Sequence, residues 1–313
     1  MGIRRSAPAS CFRSPERALS SRTLAGWFSY VLEGQHEQGS LFCIRSYTPA
    51  EWLFAALLLA MATMASVTCL CSAFIFFRRR FKRCLHGGHL RNARCLEDAP
   101  GITVVIPCYL PNEQFIIEET IRWIMYQVEF PGKLNIIVVY NTPYDIPEVE
   151  GRLQELAAST TWPPNRSLRD MRVMGSTSKA ANLNAALKCV EDPYVAVYDA
   201  DHHPDKDSLL LLLEKMLRKK VDCVQGSYYM RNLGHNQLGC SPCSLPFLAR
   251  IIDAEFFTDW FLMKLVTRTF FLGNAYFSGS NALWKTQVLA ARQFSETAQT
   301  EDVDMAIQQL LDG

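Results

Sequence analysis

The sequence predicts an α/β fold, a mostly parallel sheet with flanking helices, preceded by one transmembrane helix. Three observations predict it. The runs ITVVIP (Ile102–Pro107) and LNIIVVY (Leu134–Tyr140) are apolar and β-branched throughout, as in strands buried on both faces rather than one. Stretches with helical spacing stand between such runs, and repeated strand-helix-strand units imply parallel pairing through right-handed crossovers. Upstream, Trp52 to Phe77 runs through 26 residues without a charge or a proline, and a helix needs about 20 such residues to cross a bilayer.

Residues 1–51 hold several Arg and Ser without clean periodicity and read as a poorly ordered N-terminal head, with a transit peptide as the alternative. The span 52–77 is apolar on all faces, unlike an amphipathic core helix, and lies too deep in the chain for an ordinary signal peptide. RRRFKR comes next at Arg78–Arg83, whereas the fifteen residues before the span carry only Arg45 as a basic group. That asymmetry places the C-terminal part of the chain on the cytosolic side. Residues 78–100 form a basic juxtamembrane linker, and residues 101–313 a single α/β domain.

Within that domain, strand Ile102–Pro107 ends at its proline. EETIRWIMYQ from Glu118 has helical spacing, Leu134–Tyr140 is the second buried strand, and MRVMG around Val173 is a short third. KAANLNAALKCV from Lys179 is a helix rich in good helix formers. PYVAVYDAD contains a further strand, DSLLLLLEKMLRKK from Asp207 is amphipathic with its basic residues at the end the helix dipole favours, and VDCVQGSYYMRN is a strand with a glycine turn. LARIIDAEFFTDWFLMKLVTRTFFLG is too interrupted by charge for a second span. It reads either as a helix near the membrane surface or as a buried core helix.

Composition excludes some functions. The chain has 313 residues, 49% of them hydrophobic, which suffices for a sizeable core. Its 32 basic and 31 acidic residues leave a net charge of +1, so no nucleic-acid partner is expected. The 11 cysteines show no disulfide framework and read as reduced cytosolic thiols, and the lone Cys240/Cys243 pair lacks the second pair a zinc site needs.

YDADHHP (Tyr198–Pro204) sets two carboxylates one residue apart, where like charges disfavour ionising both. Asp199 and Asp201 are either turn residues capping the next helix or ligands of a hard divalent cation that removes the repulsion. Their place at the carboxyl end of a strand, where open parallel sheets bind ligands, favours the cation.

Six stretches together resemble family 2 glycosyltransferases in order and spacing: VVIPCYLPNE, SKAANLNAAL, YDADHHP, VQGSYYMRN, YFSGSNALWK and TEDVDMA. The resemblance runs from Gly101 to about Ala306 and is to the membrane-bound, inverting branch that includes cellulose and hyaluronan synthases and bacterial glycolipid glucosyltransferases. It implies a nucleotide-sugar-binding fold of the glycosyltransferase A type. Asp199 and Asp201 would then hold Mg²⁺ or Mn²⁺ against the donor diphosphate, Asp199 counting among the donor-binding residues as well. Asp302 of Thr300-Glu301-Asp302 would be the catalytic base, with Glu301 beside it, although the same acids could simply favour a helix N-terminus. Lys179, Pro107, Tyr109 and Glu113 would approach the nucleotide, and Ser280, Asn281 and Trp284 would line the acceptor side, where an aromatic ring can stack on a sugar.

Two departures from the family pattern stand out. YNTPYD puts Asn141 where an aspartate is usual, with Asp145 the nearest acid, so Asn141 would meet the base edge. The Gln-x-x-Arg-Trp motif and later membrane helices of that branch have no counterpart before Gly313, so the domain is expected to be cut short at its C-terminus. The expected partners are a nucleotide-sugar donor, a glycan or lipid acceptor and the lipid bilayer, at the Golgi or plasma membrane. A catalytically silent scaffold keeping the same fold, and a nucleotidyltransferase sharing sheet and metal, are the alternatives.

Overall fold

The computed structural model describes residues 48–85, 99–159, 161–230 and 247–312. The chain divides into two compact units, Met1–Ser66 and Val67–Gly313. The expected head at 1–47 and the Cys240/Cys243 pair lie outside the described residues.

Helix α1 (Pro49–Leu85) opens with a reciprocal cap: Thr48 N–H donates to Glu51 Oε2 at 2.7 Å and Glu51 N–H to Thr48 Oγ1 at 3.3 Å. It starts inside the expected head and continues eight residues past Phe77, so the first part of the expected linker is helical. Among the described residues it is the one helix long and apolar enough to cross a membrane, with a mean hydropathy of 2.2 and its apolar window 0% buried.

Among its described residues the second unit has six strands: β1 (Ile102–Tyr109), β2 (Leu134–Asn141), β3 (Arg166–Arg172), β4 (Tyr194–Val197), β5 (Cys223–Gln225) and β6 (Ala282–Lys285). Their order is β3-β2-β1-β4-β6-β5. The first four pair in parallel, whereas β6 is antiparallel to both β4 and β5. Between them run α2 (Leu110–Glu113), α3 (Ile117–Gln127), α4 (Pro147–Ala158), α5 (Lys179–Leu187) and α6 (Ser208–Lys219).

Unbroken apolar runs reflect two covered faces. On one side Ile102, Val104 and Ile106 of β1 pack with Ile121 and Ile124 of α3, Leu153 of α4 and Leu213 of α6. On the other, Val105, Val139 and Val197 pack with Leu183 of α5 and with Leu289 and Met305 of the last two helices, α9 (Thr286–Ala291) and α10 (Glu301–Asp312). Pro107 does not end β1. It pairs with Val139 in mid-register, because the strand's other hydrogen-bonding groups carry the ladder past it.

Phe247 to Leu272 is continuous helix: α7 (Phe247–Glu255), a π-helical stretch Phe256–Thr267 and α8 (Arg268–Leu272), closed by Gly273 at φ +76°. It is not a core helix. Among its described side chains only Leu265, Val266 and Thr267 are buried.

Candidate functional site

The loop after β4 is held from behind. Thr120 Oγ1 on α3 donates to Ala200 O at 2.6 Å and lies 3.1 Å from His203 Nε2. Trp123 stacks on His203 with ring centroids 5.0 Å apart, and its Nε1–H donates to Pro204 O at 2.8 Å. With His203 spent on this wall, the turn closed by His202 N–H to Asp199 O (3.0 Å) carries His202 to the open side.

There His202 Nδ1 lies 2.5 Å from Ser280 Oγ, and its Nε2 lies 3.8 Å from Asp201 Oδ1. In the tautomer that donates Nδ1–H to Ser280, Nε2 keeps its lone pair on the acidic side. One ligand atom each from Asp199, Asp201 and His202 falls within 4.8 Å of the others. Two carboxylate oxygens and one imidazole nitrogen suit a divalent cation such as Mg²⁺ or Mn²⁺, so the donor set fits the metal the sequence implied. Sequence spacing gives His202 no role of its own, because it does not separate His202 from His203.

Ser280, fully buried, joins the two halves. Its Oγ accepts from Asp199 N–H at 2.9 Å as well as facing His202. Tyr228, which sequence spacing also leaves without a role, packs its ring 5.2 Å from His202 and hydrogen-bonds Ser278 Oγ at 2.9 Å. Burial pushes its phenol up to about 12.

Lys179 opens α5, whose N-cap Ser178 accepts from Ala181 N–H at 3.1 Å. Its Nζ lies 2.5 Å from Asp199 Oδ1, 3.2 Å from Gly279 O and 4.0 Å from Glu301 Oε1. Glu301 and Asp302 form the first turn of α10. Asp302 Oδ1 accepts from Val303 N–H at 2.8 Å, and its other oxygen faces Gly279: a Cβ built there would stand 2.9 Å from Asp302 Oδ2. With φ at +79°, Gly279 also holds a backbone that L side chains rarely adopt. Asp199, Lys179, Glu301 and Asp302 are thus brought round one glycine, at the carboxyl ends of β1 and β4.

Glu113, the last residue of α2, closes the site beyond the end of β1. Its Oε2 accepts from Tyr109 N–H at 2.6 Å. Burial pushes the Glu113 carboxyl above the usual range; hydrogen bonds from Cys108 and Tyr109 oppose this, and the charges of Asp199 and Asp201 add to it. Tyr109 is exposed at the strand end, and Pro107 is buried in the strand.

Asn141, Trp284 and Asn281, expected at the donor base or the acceptor side, are engaged with the protein's own groups. Asn141 is buried, and both ends of its amide are spent inside the protein: Nδ2 donates to Ser176 O at 3.1 Å, and Oδ1 accepts from Asn182 Nδ2 at 2.7 Å. It braces the end of β2 and is not presented to a base. Asp145 is bound at 2.7 Å to Arg172, which also holds Glu150. Trp284 is 3% exposed on β6, edge-on to Phe277 at 5.4 Å, because alternation along the strand turns it into the core; it offers no face to a sugar. Asn281 sits at φ +49° and donates through Nδ2 to Ser227 O at 2.7 Å, which fixes the turn into β6.

Residues 100–310 match the family described as Glycosyltransferase like family 2. No curated protein matches the sequence. Among solved structures, the chain is similar to a mannosyltransferase, PcManGT, from Pyrobaculum calidifontis, in complex with GDP-Man and Mn²⁺. Identity is 19%, with 81% of this chain and 64% of that one covered at a TM-score of 0.49. It is similar to TarS 1-349 of S. aureus at 15% identity, covering 67% and 55% of the two chains with a TM-score of 0.45. A glucosyl-3-phosphoglycerate synthase from Mycobacterium tuberculosis, in complex with Mn²⁺, UDP and glucosyl-3-phosphoglycerate, is similar at 18% identity, covering 72% and 68%, with a TM-score of 0.40. This chain therefore spans less than two thirds of the first two proteins' own length. From the match across residues 100–310 and the mostly parallel sheet that carries it, the chain belongs to glycosyltransferase family 2 and has its nucleotide-sugar-binding, A-type α/β fold.

Proposed function

We propose that this chain is a membrane-anchored, metal-dependent, inverting glycosyltransferase that moves a sugar from a nucleotide-sugar, a UDP-sugar, to a glycan or lipid acceptor on the cytosolic face. The observation that carries this reading is the convergence of Asp199, Asp201 and His202 with Lys179, Glu301 and Asp302 around Gly279. A bound Mg²⁺ or Mn²⁺ would offset charge on the departing diphosphate. Asp199, Asp201 and His202 would hold it, Ser280 would fix the orientation of Asp199 and His202, and Lys179 would place a further positive charge on the diphosphate side. Asp302 would take the proton from the acceptor hydroxyl as that oxygen attacks the anomeric carbon. Tyr109 at the end of β1 and Glu113 at the end of α2 would face the donor. The apolar length of α1 supports anchoring, and the basic residues at its C-terminal end support the cytosolic side for the domain.

One observation favours a silent scaffold instead: the Lys179 ammonium stands 2.5 Å from Asp199, where it competes with a cation. Titration calorimetry with UDP and Mn²⁺ separates the readings, since the enzyme must bind both together. In a UDP-release assay Asp302→Asn is expected to abolish transfer and leave donor binding intact. Unchanged transfer would remove Asp302 from the role of base.

A further inference from the structure

Helix α8 shows three consecutive large apolar side chains to the outside: Phe270, Phe271 and Leu272 are 48%, 54% and 64% exposed. Exposed apolar residues scattered singly are ordinary; a contiguous set marks a contact with something else. The neighbouring helix identifies the partner.

The segment that ends in α8 is fastened to the C-terminal half of α1. Ser72 Oγ and Thr267 Oγ1 share a buried hydrogen bond at 2.8 Å, and Phe76 meets Phe257 edge-on at 6.2 Å. A small hydroxyl pair satisfied between two helices, with apolar side chains around it, is how helices associate where no water is available. Arg78, the first basic residue after the apolar run of α1, lies 5.4 Å over the ring of Phe270. An arginine at the end of a span, set on an aromatic ring, belongs at a membrane-water boundary. Phe77, next to Arg78 in the chain, and Phe74 are themselves 67% and 60% exposed.

We infer that α8 is a second membrane contact, with Phe270, Phe271 and Leu272 seated in the lipid layer that holds α1. The inference rests on the membrane reading of α1. Its occupant is lipid, since the segment ending in α8 is fastened at Ser72 and Arg78 to the end of a helix already of bilayer length. The seat is coupled to the site: Arg268 donates through Nε to Asn274 Oδ1 at 2.8 Å and through a terminal nitrogen to Tyr276 Oη at 2.6 Å, fixing the loop that leads to Gly279 and Ser280.

The test uses the full chain in phosphatidylcholine vesicles, with an environment-sensitive fluorescent amino acid in place of Phe271 and, in a second sample, in place of the exposed Leu217 on α6. Flotation reports anchoring, and doxyl-labelled phosphatidylcholine reports contact with acyl chains. The expected result is flotation of both samples, with the probe at 271 quenched about twofold more than that at 217, as for side chains seated at the acyl boundary. Flotation with equal quenching at both positions overturns the inference while the anchoring of α1 stands. Failure to float overturns the anchoring and the inference together.

Discussion

Replacing Gly279 by alanine separates backbone strain from displacement of a carboxylate. Gly279 has φ +79° and Asp302 Oδ2 2.9 Å from the place of a Cβ, whereas Gly175 has φ +74° and nothing within 4 Å. Both alanines incur the left-handed strain, about 1–2 kcal/mol, which for a domain of this size lowers Tm by about 2–8 °C. Only Gly279→Ala also pushes on Asp302, since 2.9 Å is closer than real Cβ atoms approach and the carboxylate must retreat by several tenths of an ångström. A misplacement of about 1 Å at a reacting group can lower a rate about 10²-fold, so a loss of about 10- to 100-fold in kcat is expected for Gly279→Ala. For Gly175→Ala the expected loss is within about twofold, with a similar Tm. UDP release gives kcat, calorimetry gives donor affinity and a thermal melt gives Tm. If both variants melt alike and transfer alike, Asp302 is not positioned for the chemistry and the reasoning fails.

Two further outcomes are expected. Ser280→Ala leaves the part-buried Asp199 N–H without its acceptor, a loss of about 1–3 kcal/mol by urea unfolding, and frees His202, so Mn²⁺ affinity should fall about 10- to 100-fold by calorimetry. Glu113→Gln should stabilise the metal-free protein at pH 7. The carboxyl's folded pKa is raised above 4.5, so its stabilising proton is present below pH 4.5 and lost as pH rises through the folded value. Urea unfolding should therefore show a gap in favour of Gln at pH 7 that closes toward pH 4, and an equal gap at both would refute the cause assigned to the shift.

How much of this was legible depends on the demands of each residue's neighbours. β1, β2 and α6 could be read because apolar runs and amphipathic spacing record burial directly. The acidic pair could be placed because a strand precedes it. β3 was legible only at its end: RSLRDMR buries only Leu168, and edge pairing with β2 rather than an apolar run defines it. The division of labour between His202 and His203 depends on Thr120 and Trp123, some eighty residues away, and no local spacing records that. The surroundings of Asn141 and Trp284 escape the sequence for the same reason. The Asn141 amide is consumed by Asn182 and Ser176, and the face Trp284 takes is fixed by pairing of β6 with β4.

That pairing has a consequence for how the molecule is made. β6 wedges between β4 and β5, yet it leaves the ribosome some sixty residues after β5. The three N-terminal strands and β4 can zip together as they emerge, by nearest-neighbour ladders. β5 has to wait, its edge unpaired, until residues 282–285 arrive, and long-range closure of this kind is slow and exposed to aggregation. Ser280 and Asp302 travel with or after the late strand, so a nascent chain acquires its acidic loop first and the groups that discipline it last.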